Sequence, residues 1–221
     1  IEKPQAVEHM DEIIAEVDGI MIARGDLGIE MPAEKVPIIQ KDLIKKCLDA
    51  GKPVIVATQM LDSMIRNPRA TRAEVSDIAN AVIDHADATM LSGETASGSH
   101  PVEAVKTMAA TIVETEKSSY DDLPIRTRLS AKGGSAFGGK ESPEVAMTNV
   151  ASILARMTDT KAIIIASTDG AAARLVSRYR PEVPMYLVTP SEQVAYRLNL
   201  TWGIRPLHLP DTKTVPELLE K

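Results

Sequence analysis

Residues 19–30 read GIMIARGDLGIE, an apolar run that breaks off into Arg24, Gly25 and Asp26. A short Ile- and Met-rich run closed by a polar, glycine-bearing turn reads as a buried strand that stops at a loop. Two further runs repeat the form, PVIVAT from Pro53 and ATMLS from Ala88, and polar residues follow each. Helical periods lie between the runs: Val36, Ile39, Leu43, Ile44 and Cys47 in one, Val75, Ile78, Val82 and Ile83 in the next. A third, from Pro101 to Lys117, carries Val102, Val105, Met108, Ile112 and Val113. A repeat of about 35 residues is the length of one strand plus one helix. Residues 1–117 therefore read as consecutive βα units of a parallel sheet or barrel, with strands covered on both faces.

From Ser118 the periodicity dissolves into Ser- and Gly-rich sequence, and residues 118–141 read as a linker. Residues 142–221 then show a second α/β set, read as a three-layer domain: a helix after Ser142-Pro143, the strand KAIIIAS, a helix from Gly170 with Ala173, Val176 and Ser177 inward, the strand MYLVT, a helix from Pro190, and GIRPLHL. The chain opens on IEKPQ, read as the last residues of a strand, and closes on TVPELLEK, read as a helix barely begun. The expectation is a piece of a longer polypeptide.

A chain of 221 residues can bury a sizeable core. Its net charge of −6, with Lys and Arg scattered, argues against nucleic acid or an anionic membrane as partner and for a small soluble ligand. The single cysteine, Cys47, sits at a core position of a helix and excludes an intrachain disulfide, so a reducing, cytoplasmic setting is expected. No apolar run reaches membrane-spanning length.

In parallel α/β folds ligands gather at the carboxyl ends of the strands. The residues there are Glu2, then Arg24, Gly25 and Asp26, then Thr58 and Gln59, then Ser92, Gly93 and Glu94. Glu2 and Asp26, on adjacent tips, can supply the one or two carboxylates that Mg²⁺ or Mn²⁺ takes. Gly25 lets backbone N–H groups approach an anion, and Thr58 offers a hydroxyl that can donate to a substrate oxygen or pass a proton. The same Asp26-Leu27-Gly28 also reads as a plain turn. Glu74 reads as structural, because Thr71-Arg72-Ala73-Glu74 has the form of a capping box, and Glu103 reads as a first-turn carboxylate against the helix dipole. His9, His85, His100 and His208 are scattered without metal-ligand spacing, and Met10, Met21, Met60, Met64, Met90 and Met108 read as core fillers. In the second half, Ser167, Thr168 and Gly170 lead from a strand into a helix start and can hold a phosphate. Asp169 would repel one, and an ordinary turn explains the stretch equally well.

IMIARGDLGIEMPAEKV, GKPVIVATQMLDSMIRNPRATRAEVSDIANAV and DATMLSGETASGSHPVEAV closely resemble pyruvate kinases, and VSRYRPEVPMYLVTPSEQVAYRLNLTWGIRPL resembles their C-terminal domain. The resemblance implies a partial (β/α)₈ TIM barrel, its last units, followed by the C-terminal α/β effector and oligomerisation domain. It implies phosphoryl transfer from phosphoenolpyruvate to ADP, giving pyruvate and ATP, in the last step of glycolysis. It implies Mg²⁺ on Glu2 and Asp26, a substrate carboxylate received by the backbone of Ala23, Arg24, Gly25 and Asp26, and Thr58 as substrate contact and proton relay. It further implies a homotetramer, with residues 66–72 at a subunit contact. K⁺, its ligands, a phosphate-binding arginine, a lid domain and a lysine ahead of Ile1 would lie outside these residues, so the chain alone is expected to be inactive. The effector stretch departs from the family in Asp169, Ala171 and Ala172, which puts activation by fructose 1,6-bisphosphate in doubt and leaves another sugar phosphate, or none, open. The alternatives are a metal-dependent carbon–carbon lyase on the related barrel, which lacks ATQMLDSM and RATRAEVSDIANAV, and a non-catalytic sugar-phosphate-binding module.

Overall fold

The computed structural model describes residues 1–121 and 142–210, together with 212, 214, 216 and 217. The chain divides into two compact units, Ile1–Asp122 and Leu123–Lys221. Most of the stretch expected to be a linker, residues 122–141, lies outside the described residues, as does most of the helix expected at the C-terminal end.

The first unit opens with two short helices, α1 (Pro4–Glu8) and α2 (Met10–Glu16). Strands β1 (Ile20–Ala23), β2 (Val54–Ala57) and β3 (Ala88–Met90) follow, separated by α3 (Arg24–Glu30), α4 (Val36–Ala50) and α5 (Arg72–Ile83). After β3 come α6 (Gly93–Ala96) and α7 (Pro101–Glu116). The strands pair in parallel in chain order, β1-β2-β3. Ala23 lies opposite Ala57 and Ala57 opposite Met90, so the three strands end in one row. Ile1 continues the ladder: its N–H donates to Met21 O at 2.6 Å, and its carbonyl accepts from Ala23 N at 3.0 Å, which is the parallel pattern beside Ile22. Glu2 thereby stands next to the tip of β1.

Each helix has a local cause. The left-handed Gly51, at φ 65°, ends α4 in a turn whose N–H groups at Gly51 and Lys52 reach Leu48 O and Cys47 O. The expected capping box starts α5, with Thr71 accepting from Glu74 N and Glu74 accepting from Thr71 N. Glu103 stands in the first turn of α7, as expected. The core under the strands includes Ile22, Leu43, Ile44, Val56, Met60 and Ile78, all excluded from solvent. Each of the larger of these side chains contributes about 1.5–3 kcal/mol through burial.

Three expectations about inward faces are corrected. Val102, Val105 and Val113 of α7 are exposed, because the helix packs through Ala104, Met108 and Thr115, a stripe offset from the valines. Met21 is exposed on β1 rather than filling the core, and Val75 borders on exposure at the start of α5. Cys47 is buried as expected, and burial pushes its thiol up to about 12.

The second unit repeats the alternation with α8 (Pro143–Met157), β4 (Ile163–Ala166), α9 (Ala171–Ser177), β5 (Met185–Thr189), α10 (Glu192–Leu198) and β6 (Ile204–His208). Ser142 caps α8 and Ser191 caps α10 through their hydroxyls. The strands are parallel in the order β4-β5-β6, and the central β5 is the most buried. Ala173, Val176 and Ser177 face inward as expected, while Ile164 of β4 is exposed, so that strand is not covered on both faces. Among the described residues no helix is long and apolar enough to cross a membrane.

Candidate functional site

The aligned carboxyl ends of β1 and β2 bring the turn after Ala23 against the turn after Ala57. Thr58 and Gln59 both adopt left-handed backbone, with φ 66° and 53°. For a β-branched residue this is an outlier that costs about 1–3 kcal/mol and persists only where the surroundings impose it. The surroundings are visible. Arg24 donates from Nε to Ala57 O at 3.3 Å and from Nη2 to Thr58 O at 2.9 Å. The Thr58 hydroxyl donates to Ala57 O at 2.7 Å and accepts the Gly25 N–H at 2.8 Å. A Cβ at residue 25 would stand 3.3 Å from that hydroxyl oxygen, tighter than an ordinary contact, so glycine gives the close approach its room.

The Arg24 side chain therefore turns away from the rim. Its guanidinium pairs with Asp77 Oδ2 at 2.6 Å, reaches Gln40 Oε1 at 3.4 Å and touches Met60 Sδ. Only the backbone of Arg24 remains at the mouth of the turn. Asp26 lies in the first turn of α3, where the helix dipole favours a carboxylate. Asp26 and Glu2 are both exposed, and among the described residues neither is held by a hydrogen bond or an ion pair. The free, hard oxygen donors of this pair fit Mg²⁺ or Mn²⁺, which takes one or two carboxylates and fills its other positions with water and substrate. Among the described residues no group of three or more His, Cys, Asp or Glu side chains gathers as a metal cage.

Glu94 was expected on the rim and is not there. It is 2 % exposed, and its two carboxylate oxygens accept Leu61 N at 3.0 Å and Ser92 N at 2.8 Å, tying the loop after β2 to the loop after β3. Glu74 likewise does more than cap: it also accepts from Ser63 N at 2.7 Å and Ser63 Oγ at 2.6 Å. Burial alone would raise its carboxyl, but the hydrogen bonds from Ser63 and Thr71 outweigh it and hold the group below the usual range. The partners of Arg24, Asp77 and Gln40, carried no signal in the sequence, since each is a lone polar residue on an amphipathic helix.

In the second unit the turn from Ser167 to Ala171 is closed on itself. Ser167 Oγ donates to Asp169 Oδ1 at 2.9 Å and accepts Gly170 N at 3.0 Å, while Asp169 Oδ1 also accepts Ala171 N at 2.9 Å. The Ala171 amide, followed by the Ser167 hydroxyl, holds the Asp169 carboxyl below its ordinary range. The Gly170 and Ala171 amides and the Ser167 hydroxyl are thus engaged within the turn, while Thr168 is exposed.

Parallel βα units with a carboxylate-bearing rim, followed in sequence by a smaller parallel α/β unit, are the pattern of part of a parallel α/β barrel with an appended α/β domain. The family model described as pyruvate kinase, barrel domain, matches residues 1–105, and that described as pyruvate kinase, alpha/beta domain, matches residues 145–221. The chain belongs to the pyruvate kinase family. It is 50 % identical over 208 residues to a pyruvate kinase of Clostridium acetobutylicum, covering 94 % of this chain and 42 % of the relative. With a pyruvate kinase of Geobacillus stearothermophilus the identity is 48 % over 222 residues, covering 100 % of this chain and 36 % of the relative. A solved pyruvate kinase from Cryptosporidium parvum superposes with a TM-score of 0.85 at 40 % identity, covering 95 % of this chain and 41 % of that one. The chain thus spans 36 to 42 % of the length of these relatives.

Proposed function

We propose that this chain supplies part of the active site of an enzyme that transfers the phosphoryl group of phosphoenolpyruvate to ADP, with Mg²⁺ or Mn²⁺ on Glu2 and Asp26 and K⁺ held elsewhere in the complete polypeptide. The observation that carries the reading is the rim itself: two exposed carboxylates beside a glycine turn whose amide meets the Thr58 hydroxyl. A divalent cation on the carboxylates supplies electrostatic stabilisation of the charge that develops as the phosphoryl group leaves. The chain's own residues do the rest of the local work. The turn from Ala23 to Asp26 receives the substrate carboxylate through the backbone N–H groups of Arg24 and Asp26, while those of Ala23 and Gly25 are taken by Ile1 O and the Thr58 hydroxyl and fix the turn's shape. Once the phosphoryl group has moved to ADP, an enolate remains and must gain a proton at carbon. Thr58 Oγ1, already in a chain of hydrogen bonds from Gly25 N to Ala57 O, is the candidate to hold that relay.

In this reading the complete enzyme is cytoplasmic and homotetrameric, with residues 66–72 at a subunit contact. The proposal does not extend to a sugar phosphate at Ser167, Thr168 and Gly170, because the Gly170 and Ala171 amides are engaged and Asp169 carries a negative charge there. A coupled assay tests the core of it. The complete polypeptide, supplied with Mg²⁺, K⁺, ADP and phosphoenolpyruvate, forms ATP, and Asp26→Ala lowers kcat/KM by about a thousandfold. Absence of ATP formation, or an Asp26→Ala variant indistinguishable from the parent, would overturn it.

A further inference from the structure

The geometry around Arg24 points to Asp77 as a positioning residue that acts through Arg24 on the left-handed turn at Thr58. Its coupling to the turn stands on geometry alone, whereas its catalytic consequence rests on the phosphotransferase reading above.

The dihedrals of Thr58 are the relative rotation of the two peptide planes that flank its Cα. One plane carries Ala57 O and the other Thr58 O, and a single guanidinium binds both. Holding both oxygens from one rigid, planar group leaves Thr58 no free rotation, which is how a β-branched residue stays at φ 66°. The plane of the guanidinium must itself be fixed. Asp77 Oδ2, at 2.6 Å from Nη1, is the carboxylate that does so, and Gln40 at 3.4 Å is the weaker partner. Asp77 is in turn placed by α5, whose first turn is pinned by the Thr71 and Glu74 capping box and by Ser63. A line of contacts thus runs from the start of α5 through Asp77 and Arg24 to the Thr58 hydroxyl and the Gly25 amide.

Exposure separates this role from plain stabilisation. The Arg24 side chain is 10 % exposed but that of Asp77 is 37 % exposed, and a half-exposed ion pair adds little to global stability. Loss of the Asp77 charge should therefore act on the turn far more than on the fold.

Asp77→Asn and Asp77→Glu in the complete polypeptide test the inference. With Asp77→Asn, amide hydrogen exchange in peptides covering residues 57–61 rises about tenfold, while that in residues 43–48 does not change. In the same variant kcat falls about ten- to a hundredfold, as a small displacement of a reacting group requires, and KM for phosphoenolpyruvate moves less than about threefold. Incorporation of solvent deuterium into the methyl group of pyruvate, which reads the proton step alone, falls in parallel. Asp77→Glu keeps the charge and recovers most of both losses. Unchanged exchange at 57–61, a uniform rise across all peptides, or equal losses in both variants would overturn the proposal. If the parent enzyme forms no ATP from phosphoenolpyruvate, the phosphotransferase reading falls by that result, and the exchange pattern still decides whether Asp77 holds the turn.

Discussion

Two strand-to-helix turns, one in each unit, begin from similar sequence and reach opposite states. The turn at Arg24-Gly25-Asp26 is completed from elsewhere in the chain: the Gly25 amide meets Thr58, and the Arg24 side chain meets Asp77 and two carbonyls of the next strand's loop. The turn at Ser167-Thr168-Asp169-Gly170 is completed from within, since Ser167 and Asp169 take the amides of Gly170 and Ala171. The first turn keeps its carboxylate exposed with no partner among the described residues, whereas the second has its carboxylate bound. A turn that satisfies itself has fewer groups left to offer a ligand, while one satisfied across strands can hold strain and leave donors and acceptors at the mouth.

The largest effect that would break this comparison is at Thr58. Thr58→Val keeps the branched shape and removes the hydroxyl, so the complete enzyme should lose about a hundredfold or more in kcat, and Thr58→Ser should recover most of it. Steady-state kinetics of the pair decides whether the cross-strand hydroxyl matters to the chemistry. Next is Gly170→Ala, which places a Cβ 3.0 Å from Val194 Cγ1 at a residue with φ 76°. Urea unfolding should show a loss of about 1–3 kcal/mol, as expected for a side chain forced into left-handed backbone. A smaller loss is expected from Glu74→Gln, about 1 kcal/mol at neutral pH from the weakened cap and Ser63 contacts. Because the Glu74 carboxyl is held below its ordinary value of 4.5, its contribution is present above that pH and disappears as pH falls through the depressed folded value. The difference between parent and variant in a pH series of melting temperatures should therefore close in acid. The smallest effect is Asp169→Asn, about 0.5 kcal/mol for an exposed turn carboxylate. Its use is to sharpen the contrast: inorganic phosphate should leave the melting temperature of the parent unchanged, and a rise with phosphate would show that the second turn opens after all.

Much of this was legible in the sequence. All six strands, α4, α5, α7 and the three helices of the second unit follow from short apolar runs and 3.6-residue periods, because burial of an amphipathic face is a local pattern. The short α1, α2, α3 and α6 were not read, and Arg24–Glu30, expected as a turn, is helical. The capping box at Thr71 and Glu74 was legible for the same reason, as its partners are three residues apart. Glu94 was misread as a rim residue because nothing local says that its carboxylate meets Leu61 N, 33 positions away. The valines of α7 were misread as inward because hydrophobicity marks an apolar stripe but not which of two stripes the neighbouring helix selects. Asp77 was missed altogether, since its partner is 53 positions distant.

The amino-acid sequence by itself determined the family, the parallel βα order and the row of chemical groups that end the strands, for these depend on residue type and on spacing along the chain. Only the tertiary structure decided which of those groups are free and which are engaged: Asp26 and Glu2 exposed, Glu94 and the Ser167 turn satisfied, Arg24 turned inward to hold Thr58. The reason is physical. A polar group's availability depends on the donors and acceptors that folding brings within about 3 Å of it, and those come from parts of the chain that no local pattern connects.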